Sequence, residues 1–289
     1  MKNEKEEQIL NEIEKNIKEL SEGEFNYELI CKSSSNKDFD ILIEYIEKQI
    51  KFVNDLQDSK KRFEIVKSFL EKLDSDNLYN SYKTKKLKEG FADAKKVSQG
   101  SKTYYENVKK YENSSDKDEE IGSLCKWYTN SYERACRLYF KPLAWVITGN
   151  KLNACGECIE KIIEYYPDME FVLQPFINHI RNSIDHVDFY YNLKEAIIVF
   201  EDRDKPPLKL TIKQLRDLCM LQIVSDVCIS TADYAVNLPL YKTSQYYFNK
   251  VEEYCKILQI DFDKIVALWA SKGRNLLGLY NILEKIVRY

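Results

Sequence analysis

Histidine is nearly missing from this sequence: 289 residues contain two, His179 and His186. With so little imidazole there is no HExxH pair and no Cys/His set suited to zinc, so a metal-activated water is not evident and no metal or cofactor is expected. Glycine and proline are also scarce, at eight and six. There is no P-loop and no GxGxxG, which argues against a nucleotide-transforming enzyme. Few turn residues beside abundant Glu, Lys, Leu and Ile favour helices over sheets closed by tight turns. No uncharged run approaches the ~18 apolar residues of a membrane span. The opening "MKNEKEEQIL" is charged and has no apolar signal core. Charged residues make up 31%, yet the net charge is only −3, so no balance of sign dictates a partner. The expectation is a soluble, cytoplasmic protein without a membrane partner.

Eight cysteines are present, scattered through apolar or amphipathic stretches. They are expected to be reduced thiols. Cys155 and Cys158 form a CxxC, but zinc needs a second pair at similar spacing and there is none. They read instead as two small residues on a buried helix face.

Apolar periodicity predicts an all-α chain with one short β-hairpin excursion. Ile9, Leu10, Ile13, Ile17 and Leu20 recur at helical spacing. Residues 38–74 contain no Gly or Pro, and residues 77–98 predict a further helix. The most polar segment, "YENSSDKDEEIG" (111–122), predicts a boundary between an N-terminal helical region (1–115) and a second helical domain (116–289). Beyond it, "SLCKWYTNSYERACRLYFKPLAWVI" predicts an aromatic-rich core helix, and "ACGECIEKIIEYY" predicts one that stops at Pro167. The next helix is expected to start at Asp168 as N-cap and to kink at Pro175. "KEAIIVFEDRDKPPLKL" is the strand pair. Thr211 and Gln214 form a capping box opening a helix to about residue 236, and further helices are expected over about 242–258 and 261–287.

Both histidines fall within "FINHIRNSIDHVDFYYN" (176–192). At ~100° per residue, Leu173, Ile177, Ile180, Ile184 and Val187 line one stripe of this helix. Asn178, His179, Arg181, Asn182, Asp185 and His186 lie opposite. A guanidinium forks onto phosphate oxygens, and an imidazole gives or takes a proton near neutral pH. The plainer alternative is an Arg181–Asp185 surface pair at i,i+4 with half-buried histidines.

"RNSIDH" resembles the R-x4-H motif of the HEPN superfamily of helical ribonucleases. An apolar helix leads into it, aromatic residues follow the His, and a strand pair precedes the "LTIKQLRDL" helix start. The resemblance covers roughly residues 122–289. It implies a helical bundle and a metal-independent endoribonuclease whose motifs meet across a homodimer in one composite site. It further implies that Arg181 holds the scissile phosphate, His186 is the acid/base and Asn182 orients the phosphate or the His. His179, Asp185 and Tyr190 are accessory candidates. A toxin branch of the superfamily has Tyr two residues after the His, where this sequence has Asp188. A role in antiviral defence or as a toxin, with an inhibitor or sensor partner, follows from the resemblance alone.

RNA suits this chemistry because it supplies its own 2′-hydroxyl nucleophile. Residues 83–110 are lysine-rich with interleaved aromatics. Lys83, Lys85, Lys86, Lys88, Lys95 and Lys96 are therefore candidate phosphate contacts; the alternative is a solvated helix face. For the dimer, Leu276, Leu277, Leu279, Tyr280 and Ile282 are expected to supply buried area. The competing functional expectation is a non-catalytic helical module that binds RNA or protein.

Overall fold

The computed structural model describes residues 36–55, 57–92, 116–203, 205–271 and 276–288. The helix expected near residues 9–20, Cys31, Lys95 and Lys96 lie outside them. The chain is mostly helical with one small antiparallel sheet, as the composition predicts. Helices α1 (Asn36–Asn54), α2 (Gln57–Ser75) and α3 (Tyr79–Ala92) precede α4 (Lys117–Ala135). A π-helical turn, Cys136–Phe140, continues α4 directly into α5 (Lys141–Thr148). Then come α6 (Cys155–Tyr165), α7 (Met169–Leu173) and α8 (Asn178–Asp185). Strands β1 (Phe189–Asn192), β2 (Ile197–Asp202) and β3 (Lys205–Leu210) follow. The chain ends with α9 (Ile212–Leu258), α10 (Phe262–Ser271) and α11 (Leu276–Arg288).

Contacts divide the chain into two compact units: Met1–Gln49 with Asn237–Tyr289, and Ile50–Val236. The boundary expected near residue 115 does not separate them. Phe69 and Leu73 of α2 and Tyr82 of α3 are buried in the same core as Trp127, Tyr128, Phe176 and Phe200. The polar run that suggested the boundary ends instead as a helix start. Asp116 is the N-cap of α4, its carboxylate accepting from the Asp118 N–H at 3.0 Å.

The π-helical turn sits just before Pro142. In an α-helix, Pro142 could not donate to the Leu138 carbonyl and its ring would crowd that group. The wider turn, in which the Lys141 N–H bonds to the Cys136 carbonyl, accommodates the ring without ending the helix.

The sheet has the order β1-β2-β3. β2 and β3 are the expected strand pair. β1, opposing β2 from Phe189↔Phe200 to Asn192↔Ile197, is a third strand built from the aromatic residues after the motif. The Phe189 and Phe200 rings stack at 6.0 Å on the inner face.

Helix α9 opens with the predicted capping box: the Thr211 N–H donates to Gln214 Oε1 (2.8 Å) and the Gln214 N–H to Thr211 Oγ1 (3.2 Å). The two helices expected over 211–236 and 242–258 are one, running through Pro239. An interior proline removes one backbone bond but need not end a helix whose turns on both sides are packed. An 18-residue window of α9 averages a hydropathy of 1.2, enough by length and composition for a membrane span. Its buried Gln222 and Ser225 donate to the carbonyls of Pro175 (3.3 Å) and Val172 (2.8 Å), which makes this part a core helix of its unit.

In the other unit, Phe248, Val251 and Cys255 of α9 pack with Ile265, Leu279, Ile282 and Leu283. Of the α11 residues expected to supply buried area to a dimer, Leu277 is 41% exposed. Leu279 and Ile282 are already buried, and Tyr280 packs on Tyr247 and Tyr254. The thiol expectation is corrected, since Cys136 and Cys155 form a disulfide with Cα atoms 5.9 Å apart. Cys125, Cys158, Cys219, Cys228 and Cys255 are free and buried.

Candidate functional site: the Arg181–His186 helix

The motif does not lie on a long kinked helix. Pro175 separates two short ones, and Asp168 makes no side-chain cap bond at the start of α7. Pro175 lacks the N–H that would carry a helix through, and the main-chain groups around the break are satisfied by side chains. The Tyr128 hydroxyl lies 2.9 Å from the Pro175 carbonyl and accepts from the Ile177 N–H at 2.7 Å. Gln222 donates to the same Pro175 carbonyl. Buried Arg62 donates to the carbonyls of Phe171 and Val172 at the end of α7, and its guanidinium lies over the Phe171 ring. This network fixes where α8 begins.

Helix α8 buries Ile180 and Ser183. The Ser183 hydroxyl lies between the His179 carbonyl (2.8 Å) and the Glu201 carbonyl (2.6 Å), tying the helix to β2. His179 joins the same seam: its Nε2 is 3.1 Å from the Phe200 carbonyl, so the Nε2–H tautomer donates there. That nitrogen is committed to main chain.

The end of α8 is unusual. The Val187 N–H bonds to the Ile184 carbonyl (3.2 Å) and the Asp188 N–H to the Ser183 carbonyl (2.8 Å), the pattern of a Schellman cap. The residue in its left-handed position is Val187, at φ 61°. A β-branched residue there is strained by about 1–2 kcal/mol, and glycine normally takes the place. Val187 is therefore outside the predicted apolar stripe and 77% exposed. His186, the C-cap, is held by its N–H to the Asn182 carbonyl (2.9 Å) with its side chain exposed.

Arg181 is the most engaged side chain of the motif. Its Nε donates to Glu133 Oε1 (2.9 Å), and one terminal nitrogen reaches the same oxygen at 2.7 Å. That nitrogen also meets Asp185 Oδ2 at 2.9 Å, while the other donates to Asn182 Oδ1 at 3.2 Å. Both Arg181 and Glu133 keep 29% of their side-chain surface accessible. Asn182 Nδ2 donates in turn to Asp202 Oδ2 (3.4 Å), a largely buried carboxylate that Lys205 also approaches at 3.4 Å. Tyr132 completes the wall: its hydroxyl donates to Asn178 Oδ1 at 3.3 Å. Burial pushes that phenol well above its usual range, against the opposing influence of the Arg181 charge.

The structure joins the predicted Arg181, Asn182 and Asp185 to Glu133 and Asp202, which the sequence did not flag, and leaves the His186 side chain exposed and outside these bonds. Glu133 lies 48 residues before Arg181 and one turn before the π-helical segment, with no local pattern to flag it. Asp202 ends a strand whose alternation could have marked it as inward-facing. Tyr190, on β1, is exposed and apart from the Arg181 cluster's hydrogen bonds.

Lys83, Lys85 and Lys86 already have intramolecular contacts. Lys86 pairs with Asp233 at 2.7 Å and lies over the Tyr139 ring at 4.9 Å. Lys85 lies over Trp145, at 4.7 Å, and Lys83 over Tyr79, at 4.9 Å. Burial lowers the pKa of both Lys83 and Lys85. The Lys88 side chain is outside the described residues. Among the described residues, no three His, Cys, Asp or Glu side chains are grouped to hold a metal ion.

No protein-family model, curated protein or solved structure matches this chain.

Proposed function

We propose that the protein is a metal-independent endoribonuclease that cleaves RNA by transesterification at the α8 site. The observation that supports this most is Arg181: a partly accessible guanidinium, aimed by a fixed carboxylate, five residues before an exposed imidazole. Glu133 holds the Nε edge and thereby orients the terminal nitrogens. A phosphate displaces Asp185 from the terminal nitrogen, since Asp185 is the most exposed of the guanidinium's partners and an exposed pair contributes little. The RNA 2′-oxygen attacks phosphorus, a base removes its proton, and the P–O5′ bond breaks as an acid protonates the leaving oxygen. Arg181 stabilises the charge that develops on the phosphoryl oxygens. The products are a 2′,3′-cyclic phosphate and a 5′-hydroxyl.

One His186 supplies one proton-transfer group, and the reaction needs two. A two-fold pairing of α8 helices provides the second. Val187, Tyr190 and Leu193, which follow the motif in the chain and are 77%, 52% and 79% exposed, supply apolar side chains for such a pairing. Antiviral defence or toxicity remains the setting that the HEPN resemblance suggests.

The competing reading, a non-catalytic module, is favoured by one observation: every nitrogen of Arg181 already has a partner within the chain. Incubation with RNA in EDTA separates the two. The enzyme reading expects cleavage by wild type and loss of it in Arg181→Ala and His186→Ala; intact RNA throughout supports the module.

A further inference from the structure

The Cys136–Cys155 disulfide lies where it can govern the α8 site. Cys136 follows Glu133 by three residues and Tyr132 by four, so it caps the segment that grips Arg181 and Asn178. On the other side, Cys155 is the first residue of α6 and is followed by Gly156. A Cβ at Gly156 would stand 3.2 Å from the Asn178 side chain, so the α6 N-terminus abuts the first residue of α8. Each half of the disulfide is therefore within one turn of a residue that contacts the motif helix.

From this connectivity we infer that the disulfide is a redox switch for the α8 site: oxidised, it clamps the Glu133 and Gly156 walls against α8, and reduced, it releases them. The inference takes the α8 cluster as the working site of the proposed function and adds its regulation. The reductant is a dithiol. Its thiolate attacks the Cys155 sulfur, which is the more accessible of the two because Cys136 is fully buried. Cys136 departs as a thiolate and takes up a proton. The second thiol of the reductant then closes a disulfide within the reductant and releases Cys155. Two electrons pass from the dithiol to the protein, and two protein thiols result. Cys155 is the first residue of α6, and a helix N-terminus favours a thiolate there as the leaving sulfur of that second step. Cys158, one turn further on, is buried, and burial holds its thiol above the usual range. It stays outside the exchange.

The test needs no substrate, so its outcome is independent of the nuclease reading. Non-reduced peptide mapping by mass spectrometry of the full chain should find Cys136 linked to Cys155. Hydrogen exchange of the α8 amides should then quicken by about tenfold or more after dithiothreitol treatment, with α9 amides near Leu215 unchanged. Cys136→Ala should show the fast α8 exchange with or without reductant, and wild-type protein carries the same test should that variant fold poorly. A Cys155–Cys158 link, free Cys136 and Cys155 in air-oxidised protein, or α8 exchange indifferent to reduction would each overturn the switch. Altered exchange without RNA cleavage would leave the switch standing and remove the nuclease.

Discussion

Glu133 and Arg181 are the residues on which the site's geometry turns. Glu133→Gln keeps a hydrogen-bond acceptor but removes the charge that holds the guanidinium edge. With both side chains about a third exposed, the loss of stability should be at most ~1 kcal/mol. Any cleavage activity, in contrast, should fall by ~10-fold or more, because aim matters more to a charge-stabilising donor than to the fold. Urea unfolding and initial cleavage rates on the same preparation would reveal that split. A large stability loss with proportionate activity would make Glu133 merely structural. Val187 allows a second test at this scale. Replacing it by Gly relieves the left-handed strain, offset in part by the entropy of a freer unfolded chain. The expected result is a gain of about 0.5–1 kcal/mol in urea unfolding, and a loss would mean the valine side chain makes a contact that outweighs its backbone cost. Arg181, Asn182 and Asp185 were legible because they lie within about one turn of α8. Glu133 and Asp202 were not, because only tertiary packing brings a carboxylate 48 residues upstream and the end of β2 to the same guanidinium and amide.

Between elements, the α7–α8 break is held by side chains from distant helices rather than by local caps. Tyr128→Phe removes the acceptor of the Ile177 N–H and a donor to the Pro175 carbonyl. A buried N–H left unpaired should cost about 1–3 kcal/mol, measurable as a shifted unfolding midpoint with unchanged slope. A change within error would place the stability of the break with Gln222 and Arg62 instead. Here the sequence was half legible. Pro175 signalled an interruption, but whether a proline kinks, ends or sits within a helix depends on what packs around it, as Pro142 and Pro239 show from the other side. Helix α3 teaches the same lesson for charge. A lysine run resembles a phosphate-binding face, yet Lys86 is spent on Asp233 among Tyr82 and Tyr139. Lys86→Glu would set two carboxylates together in a mostly buried place and should destabilise by about 3 kcal/mol or more. Lys83→Glu and Lys85→Glu, on the ring faces of Tyr79 and Trp145, should be milder and are the better probes of RNA affinity. If Lys86→Glu folds as stably as wild type, that pair is solvent-screened and the lysine is free to serve as first expected.

At the scale of the whole molecule, the helical class was legible from scarce glycine and proline and from apolar spacing, whereas the division into units was not. A polar segment marks a boundary only if the apolar faces on either side bury separately, and those of α2 and α4 share one core. The proposed pairing rests on the exposed apolar side chains that follow the motif, Val187, Tyr190 and Leu193. Tyr190→Lys with Leu193→Lys should therefore convert a dimer to a monomer in light scattering and lower cleavage together, while Leu279, inside its own unit, should affect stability alone. The account stands most directly on one measurement: end-group analysis of RNA incubated with the protein in EDTA, beside an RNA carrying a single 2′-deoxy substitution at the cleaved position. The expected result is a 2′,3′-cyclic phosphate and a 5′-hydroxyl, no cutting at the deoxy position, and a rate ~10²–10⁴-fold lower for His186→Ala. Cleavage that survives the 2′-deoxy substitution, or that His186→Ala leaves at the wild-type rate, would contradict it.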